Sequence, residues 1–510
     1  MEEQRYDTSA YMQVPLGEKS VTTEISGDFT LPDYHPEIKR LLRVSASILP
    51  PSKYVGDSEA ELTGGIDYYV LYTGSDNQVY CAPLSSEYKI TVPMDKNELS
   101  LVNVTADADI IPDMTSGRVT SPRKLNIKCR LKSVTRMYGD TPIDKSYASL
   151  GGENQILLGR SETTRRLFAQ SEMIRLSDEM IQSASDEEIR VINADGRVLV
   201  NESTAANGAV NCKGELYLKL LMCREPDGVP YTTTRRIPFN QTTMVDGADA
   251  NCETCAKGKV CEISINVEEG RIGIDVGVML EMSVCKNETV TYVKDAYSTT
   301  HNTECTYRTV PYLDGGRAFN SNFTQSDSMT LDKAGLTPEH KIVDIAGCAY
   351  PDSAILEGEK WVFTGKTKFA LLTEKDGEYS NAEIEMPYRY AVDSKHDEGN
   401  EAYAYASAEI ISARARLDGE RIGIDAEVMM KCIISNKQSA KMLDSVSFGD
   451  ECQRSRGEYV VCYPAANDNL WSIAKKYGTT TAALAATNKL SVTNAPDSTD
   501  TLSGIHYLIV

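Results

Sequence analysis

Three cysteines offer the first candidate chemistry. Cys252-Glu-Thr-Cys255, with Cys261 close behind, has the spacing of a single zinc knuckle or a redox pair. Tetrahedral zinc takes four ligands, usually supplied by two such knuckles. No second CxxC or His pair exists, and GADANCETCAKGKVCE reads as a loop between strands. The expectation is loop cysteines without a metal. The five histidines, His35, His301, His340, His396 and His506, stand in no HExxH and near no GxSxG elbow. His35 reads as part of a turn and His506 as an outward-facing strand residue. GGENQ at 151–155 and DGGRAF at 314–319 read as hairpin or linker turns, because no GK[ST] follows to make a phosphate loop. No nucleophile–base arrangement is visible. The expectation is no catalytic residue, no cofactor and no enzyme.

Two aromatic residues point instead to binding. Trp471 lies off the apolar stripe of its helix, at a position suited to an interface anchor. Its alternative is to pack on Tyr459 or the N-terminal strand. Tyr34, in a Pro-containing turn, has a similar standing.

The formal net charge of −21 over 510 residues repels nucleic acid and anionic lipid or wall polymer. The N-terminus has neither a basic nor an apolar leader region, and no apolar run reaches 18 residues. The expectation is a cytoplasmic protein without a membrane span. Its 13 cysteines, scattered and odd in number, read as mostly reduced core residues.

The elements around these residues repeat. RIGID pentads begin at Arg271 and Arg421, 150 residues apart, and a weaker copy, RKLNIKCRLK, begins at Arg123. GIDYYVLYT from Gly65, GELYLKLLM from Gly214 and GKTKFALLT from Gly365 keep nearly the same period. FAQSEMIRL from Phe168 matches FTQSDSMTL from Phe323. These landmarks place units at 15–160, 161–315 and 316–450, arranged as beads on a chain or a paired stack.

Within a unit, Leu216, Leu218, Leu220 and Met222 alternate with other residues, as do Ile272, Ile274, Val276 and Val278. Period two with branched side chains signals half-buried antiparallel strands. Asp195-Gly196, Asp227-Gly228, Asp376-Gly377 and Asp418-Gly419 read as hairpin turns. One short helix is expected over Pro36–Val44. The fold class is mainly β, three tandem sandwich-like repeats with little helix.

Beyond a linker at 451–457 the pattern changes to strand, helix, helix, strand over 458–510. Leu470, Ile473, Ala474 and Tyr477 form one stripe, with Asn469 as cap and Gly478 as stop. Thr480 or Thr479 caps a second helix, whose inner face is expected to be Ala483, Leu484 and Thr487.

Residues 458–510 resemble a LysM domain. The strand YVV, the helix LWSIAKKYG, the TTxxAL second helix and Asn488 all fit. The resemblance implies a binding groove for glycan or partner at Asn467, Asp468, Asn469, Leu470, Trp471, Asn488 and Leu490. The sequence departs from the family there: Asn467-Asp468-Asn469 replaces the usual Gly-Asp-Thr, and Leu502-Ser503-Gly504 the usual Pro-Gly-Gln. Gly27-Asp28-Phe29-Thr30-Leu31-Pro32-Asp33-Tyr34-His35-Pro36 resembles the signature of SPOCS domains, found in spore-coat proteins of endospore-forming Clostridia and Bacilli. Three such units followed by LysM is a layout of that spore-envelope assembly family. It implies a mother-cell protein at the forespore surface and spore coat. Its LysM domain would dock a stage IV A-type morphogenetic ATPase, and its repeats would recruit coat proteins or self-associate. The alternative is a binder of peptidoglycan or another N-acetylglucosamine polymer.

Overall fold

The computed structural model describes residues 10–56, 58–95, 99–143, 153–168, 172–181, 189–225, 228–268, 271–393, 401–452, 460–465, 468–490, 502 and 505–510. The first unit comprises β1 (Ala10–Thr30), β2 (Arg40–Ile48), β3 (Ser52–Val55), β4 (Glu59–Thr73), β5 (Val79–Pro93), β6 (Val102–Ser121) and β7 (Lys124–Ile143). The second comprises β8 (Asn154–Phe168), β9 (Glu172–Ile181), β10 (Ile189–Ala206), β11 (Ala209–Arg224), β12 (Pro230–Met244), β13 (Glu253–Glu268) and β14 (Arg271–Ser298). The third comprises β15 (His301–Thr330), β16 (Lys341–Glu357), β17 (Lys360–Lys375), β18 (Glu378–Asp393), β19 (Glu401–Asp418) and β20 (Arg421–Glu451). The described strands therefore break between Ile143 and Asn154 and between Ser298 and His301.

Each unit is a pair of antiparallel sheets. One sheet joins the first strand to the last two, as in β1-β7-β6 and β15-β20-β19; in the second unit β8 and β9 share the role of first strand along β14. The other sheet holds the middle strands, β2-β4 with β3 and β5, β10-β11-β12, and β16-β17-β18. The alternating residues meet between the sheets: Leu216, Leu218, Leu220 and Met222 share a core with Ile272, Ile274, Val276 and Val278. Each such buried side chain contributes about 1.5–3 kcal/mol. The buried Leu125, Ile272 and Ile422 occupy equivalent places, directly after Lys124, Arg271 and Arg421. Lys124, and not Arg123, is thus the counterpart of the two pentad arginines.

Three expectations from the sequence are corrected. Pro36–Val44 is a loop running into β2, not a helix. The apolar spacing arises because the β2–β4 pairing shifts between Leu41 and Arg43, so that Leu42 leaves the period-two alternation. Asp195-Gly196 sits inside β10, paired with Lys219 and Leu218, and makes no turn. DGGRAF lies within β15 at a register shift between Asp314 and Arg317. There Gly316 N–H bonds to Thr164 Oγ1, and a Cβ at 316 would collide with that threonine. Asp376-Gly377 and Asp418-Gly419 do form hairpins, with left-handed φ at Asp376, Gly377 and Gly419. Asp227 and part of GGENQ lie outside the described residues.

The units are neither beads nor a paired stack. The same bulge recurs in all three, at Leu42, Ile192 and Val343. These residues meet Leu71, Leu221 and Leu372 in one apolar cluster. Equivalent side chains of three units can share one cluster only if the units close around it. The middle sheets complete the ring: β5 packs on β10, β12 on β16, and β18 on β2.

Charges lock the same junctions. Asp344 of the third unit bridges Lys219 of the second at 2.6 Å and Arg43 of the first at 3.4 Å. Elsewhere Arg136 pairs with Asp109 at 3.1 Å and lies 3.5 Å over the ring of Tyr405. Tyr405 donates to Asp107 and accepts from Arg166, each at 3.0 Å. Burial alone would raise the pKa of Asp107, but Lys431, Lys53, Arg166 and Arg136 hold it far below the usual carboxylate range.

Candidate functional site

The C-terminal module comprises β21 (Val461–Cys462), α1 (Leu470–Tyr477), α2 (Thr481–Thr487) and β22 (Leu508–Ile509), with the two strands paired. Asn469 caps α1 reciprocally: Ser472 N donates to its Oδ1 at 2.8 Å, and its own N–H donates to Ser472 Oγ at 3.0 Å. Gly478, at φ 64°, ends the helix. Thr480 caps α2 through Ala483 N. Cys462, Ile473, Ala474, Leu484 and Leu508 form the small core. The inner face of α2 is Leu484 and Ala485; Ala483 and Thr487 face solvent. A helix of under two turns, wedged between α1 and β22, buries adjacent residues rather than a long stripe.

All but one of the groove residues named from the resemblance are among the described residues. Asn488 clamps α2 to the last strand, donating to Leu484 O and Ile509 O and accepting from Ile509 N. Leu470 and Leu490 pack against the core. Asp468 ties its loop by accepting from Ala465 N at 2.9 Å. Asn467 lies outside the described residues.

Trp471 packs against the module's small core and also seats the module on the body; Tyr459 lies outside the described residues. Its indole Nε1–H donates to Asp295 Oδ2 at 2.8 Å, and its ring meets Tyr297 edge-on at 4.8 Å. Lys475, one turn further along α1, reaches Asp295 Oδ1 at 2.6 Å. Tyr307 donates to the same oxygen at 2.7 Å, and Tyr297 OH donates to Thr479 O at 2.8 Å. A register shift between Val293 and Asp295 in the β8–β14 pairing turns the carboxylate out of the alternation. Burial would raise the pKa of Asp295, yet the bonds from Lys475, Trp471 and Tyr307 outweigh it and hold the carboxyl below its ordinary range. The open side of the module carries Val461, Tyr463 and Tyr507, all exposed. Nothing in a single sequence connects Asp295 and Tyr297 with a helix so far downstream, so sequence reasoning missed this seat.

The signature turn of the first unit is built around Arg123. Its guanidinium donates to Pro32 O at 2.8 Å and His35 O at 3.0 Å, and lies 3.7 Å from Asp33. Tyr72 OH donates to Pro36 O at 3.0 Å. Leu31 is buried beneath, while Tyr34 projects with 80% exposure. Burial and the charge of Arg123 lower the pKa of His35.

Of the cysteine group, Cys252 lies in the loop, but Cys255 and Cys261 belong to β13. Cys255 is buried beside Cys285, Ala318, Tyr405 and Ile433, and burial pushes its thiol up to about 12. Such a thiol resists becoming the thiolate that metal binding and redox exchange require. Among the described residues no group of three or more His, Cys, Asp or Glu is placed to hold a metal ion. No helix among them is long and apolar enough to cross a membrane.

Comparison with known families agrees with this architecture. Residues 189–268 match the family model described as SipL, SPOCS domain, and residues 465–505 match LysM domain. The first match covers β10–β13 of the second unit, whereas the signature turn lies in the first. No curated protein and no solved structure matches the chain. Both matched families are binding and adaptor domains. The chain thus carries a SPOCS domain of the SipL type and a LysM domain, and is similar to the SPOCS–LysM proteins of spore formation.

Proposed function

We propose that this chain is a non-enzymatic structural adaptor of the endospore envelope. The observation that carries the reading is the fixed seating of the LysM module, through Trp471 and Lys475 on Asp295, on a body of three interlocked β units. An adaptor holds two partners at a set distance and orientation, and a pinned module on a ring does so without chemistry. In this reading LysM docks a basal-layer morphogenetic ATPase of the stage IV A type. The contact lies near Asn467–Leu470 and Leu490, with Trp471 setting the module's orientation. The three units recruit coat proteins or a second copy. The protein works in the mother-cell cytoplasm, at the forespore surface. The exposed Val461, Tyr463 and Tyr507 favour a protein partner, because tyrosine is enriched in protein interfaces.

The LysM match itself favours a second reading, anchoring to peptidoglycan through N-acetylglucosamine. The net charge of −21 works against approach to an anionic wall polymer. The two readings separate when the full chain is incubated with purified peptidoglycan and, separately, with lysate of sporulating mother cells. Recovery of the basal-layer ATPase from lysate without retention on peptidoglycan supports the adaptor. Retention on peptidoglycan that chito-oligosaccharide releases supports the anchor and overturns the adaptor.

A further inference from the structure

The three units enclose more than an apolar plug. Beside it lies a cavity of about 370 Å³, walled by β2 and β6 of the first unit, β10 and β13 of the second, and β16–β18 of the third. That volume falls within the range of small-molecule sites. Met114 supplies apolar wall, together with Val44, Val260, Ile263, Phe369 and Ile384, whose side chains also pack into their own units' cores.

The charges lining it are unequally served. Asp344 has Arg43 and Lys219, Asp195 has Arg197, Asp113 has Arg130, Glu262 has Arg175, and Glu385 has Lys366. Glu383 is exposed. Among the cations, Arg43, Arg197 and Lys219 are in those pairs, and Lys368 bonds to Asp113 O and sits over Tyr350. Lys259 differs: among the described residues its ammonium has neither a hydrogen bond nor an ion pair. Along β13 the buried Ala256 and Gly258 face the unit's own interior. Lys257 and Lys259 therefore point into the junction, where Lys257 reaches Asp109 at 3.3 Å. Lys259 stands among groups of all three units, Asp67, Arg197, Glu409 and Cys348, the carboxylates lying beyond ion-pair distance. Burial, with Arg197 and Lys257 nearby, lowers its pKa despite the opposing pull of Glu409, so the charged form is compensated only in part.

We propose that this junction cavity is a binding site for a small amphiphilic anion, an apolar body ending in one carboxylate-type head, with Lys259 as the head-group ligand. The apolar walls take the body, and the anion supplies the partner that the protein does not. Occupancy would tie the three units together, since each contributes a wall.

Octanoate, octylamine and octanol titrated separately into the full chain, followed by calorimetry, test the site. Octanoate is expected to bind saturably at one site per chain, at least about tenfold tighter than octylamine, the effect of one charge-assisted bond. Lys259→Met removes that preference and, by deleting a buried charge without an ion-pair partner, leaves the ligand-free protein at least as heat-stable; Lys259→Arg retains the preference. Equal binding of octylamine and octanoate to the unsubstituted protein overturns the proposal, as does the absence of saturable octanoate binding, or unchanged octanoate affinity in a folded K259M. The preference between the two probes decides the matter even if a variant fails to fold.

Discussion

Trp471 and Asp295, 176 residues apart in sequence, are joined by an indole N–H to carboxylate hydrogen bond of 2.8 Å. The same carboxylate gathers Lys475 and Tyr307, so one side chain supplies the polar half of the seat and Tyr297, packed into the module's core, the apolar half. Asp295→Ala is expected to weaken the seat by about 1–3 kcal/mol, towards the lower end because a third of the Lys475 side chain reaches solvent. Tryptophan fluorescence reads the change: Trp471 shifts to the red while the buried Trp361 does not. An unshifted spectrum in D295A would mean that the apolar contact with Tyr297 suffices.

The seat has a defined pH window. The folded-state pKa of Asp295 is depressed, so its contribution is fully present above the unfolded value of about 3.9 and is lost as pH falls through the lower folded value. The Trp471 signal should stay flat from about pH 8 to pH 5 and move only below about pH 4, provided the body is still folded. A transition near pH 6 would point to a histidine and contradict this assignment.

The ion triad at the ring centre should be costly to break. Asp344→Ala leaves Arg43 and Lys219 facing one another without their carboxylate, a loss of about 3–5 kcal/mol. Urea unfolding measures it. A cost below about 1 kcal/mol would show that the two cations find water or other partners.

Closure of the ring also predicts cooperativity. Leu221→Ala opens a cavity in the cluster shared by three units, at about 2–5 kcal/mol. Calorimetry should show the transition of the whole three-unit body shifting downwards, not that of one unit alone. Separate transitions with only one displaced would contradict a shared core.

The strands were legible because burial there is local: Leu216–Met222 and Ile272–Val278 alternate as they pack. The caps at Asn469, Gly478 and Thr480 were legible for the same reason, each acting within one turn of helix. Residues 36–44 misled because a bulge breaks the period of two and imitates helical spacing. Asp195-Gly196 misled because a dipeptide that favours turns was overruled by pairing along β11. The closing of the ring could not be read from one chain. Its determinants, Leu42, Ile192 and Val343, look ordinary until three bulges are superimposed. Asp295 and Lys259 were invisible likewise, because their significance lies in partners, present or missing, on other units.

If the LysM module seated on Asp295 binds a protein, two affinities separate it from a glycan anchor. The most direct measurement is the affinity of the full chain for purified basal-layer ATPase filaments and for chito-oligosaccharide, by calorimetry under identical conditions. Saturable binding to the filaments is expected, weakened in D295A because the module loses its orientation, with no measurable heat from the oligosaccharide. Binding to chito-oligosaccharide with none to the filaments would contradict it.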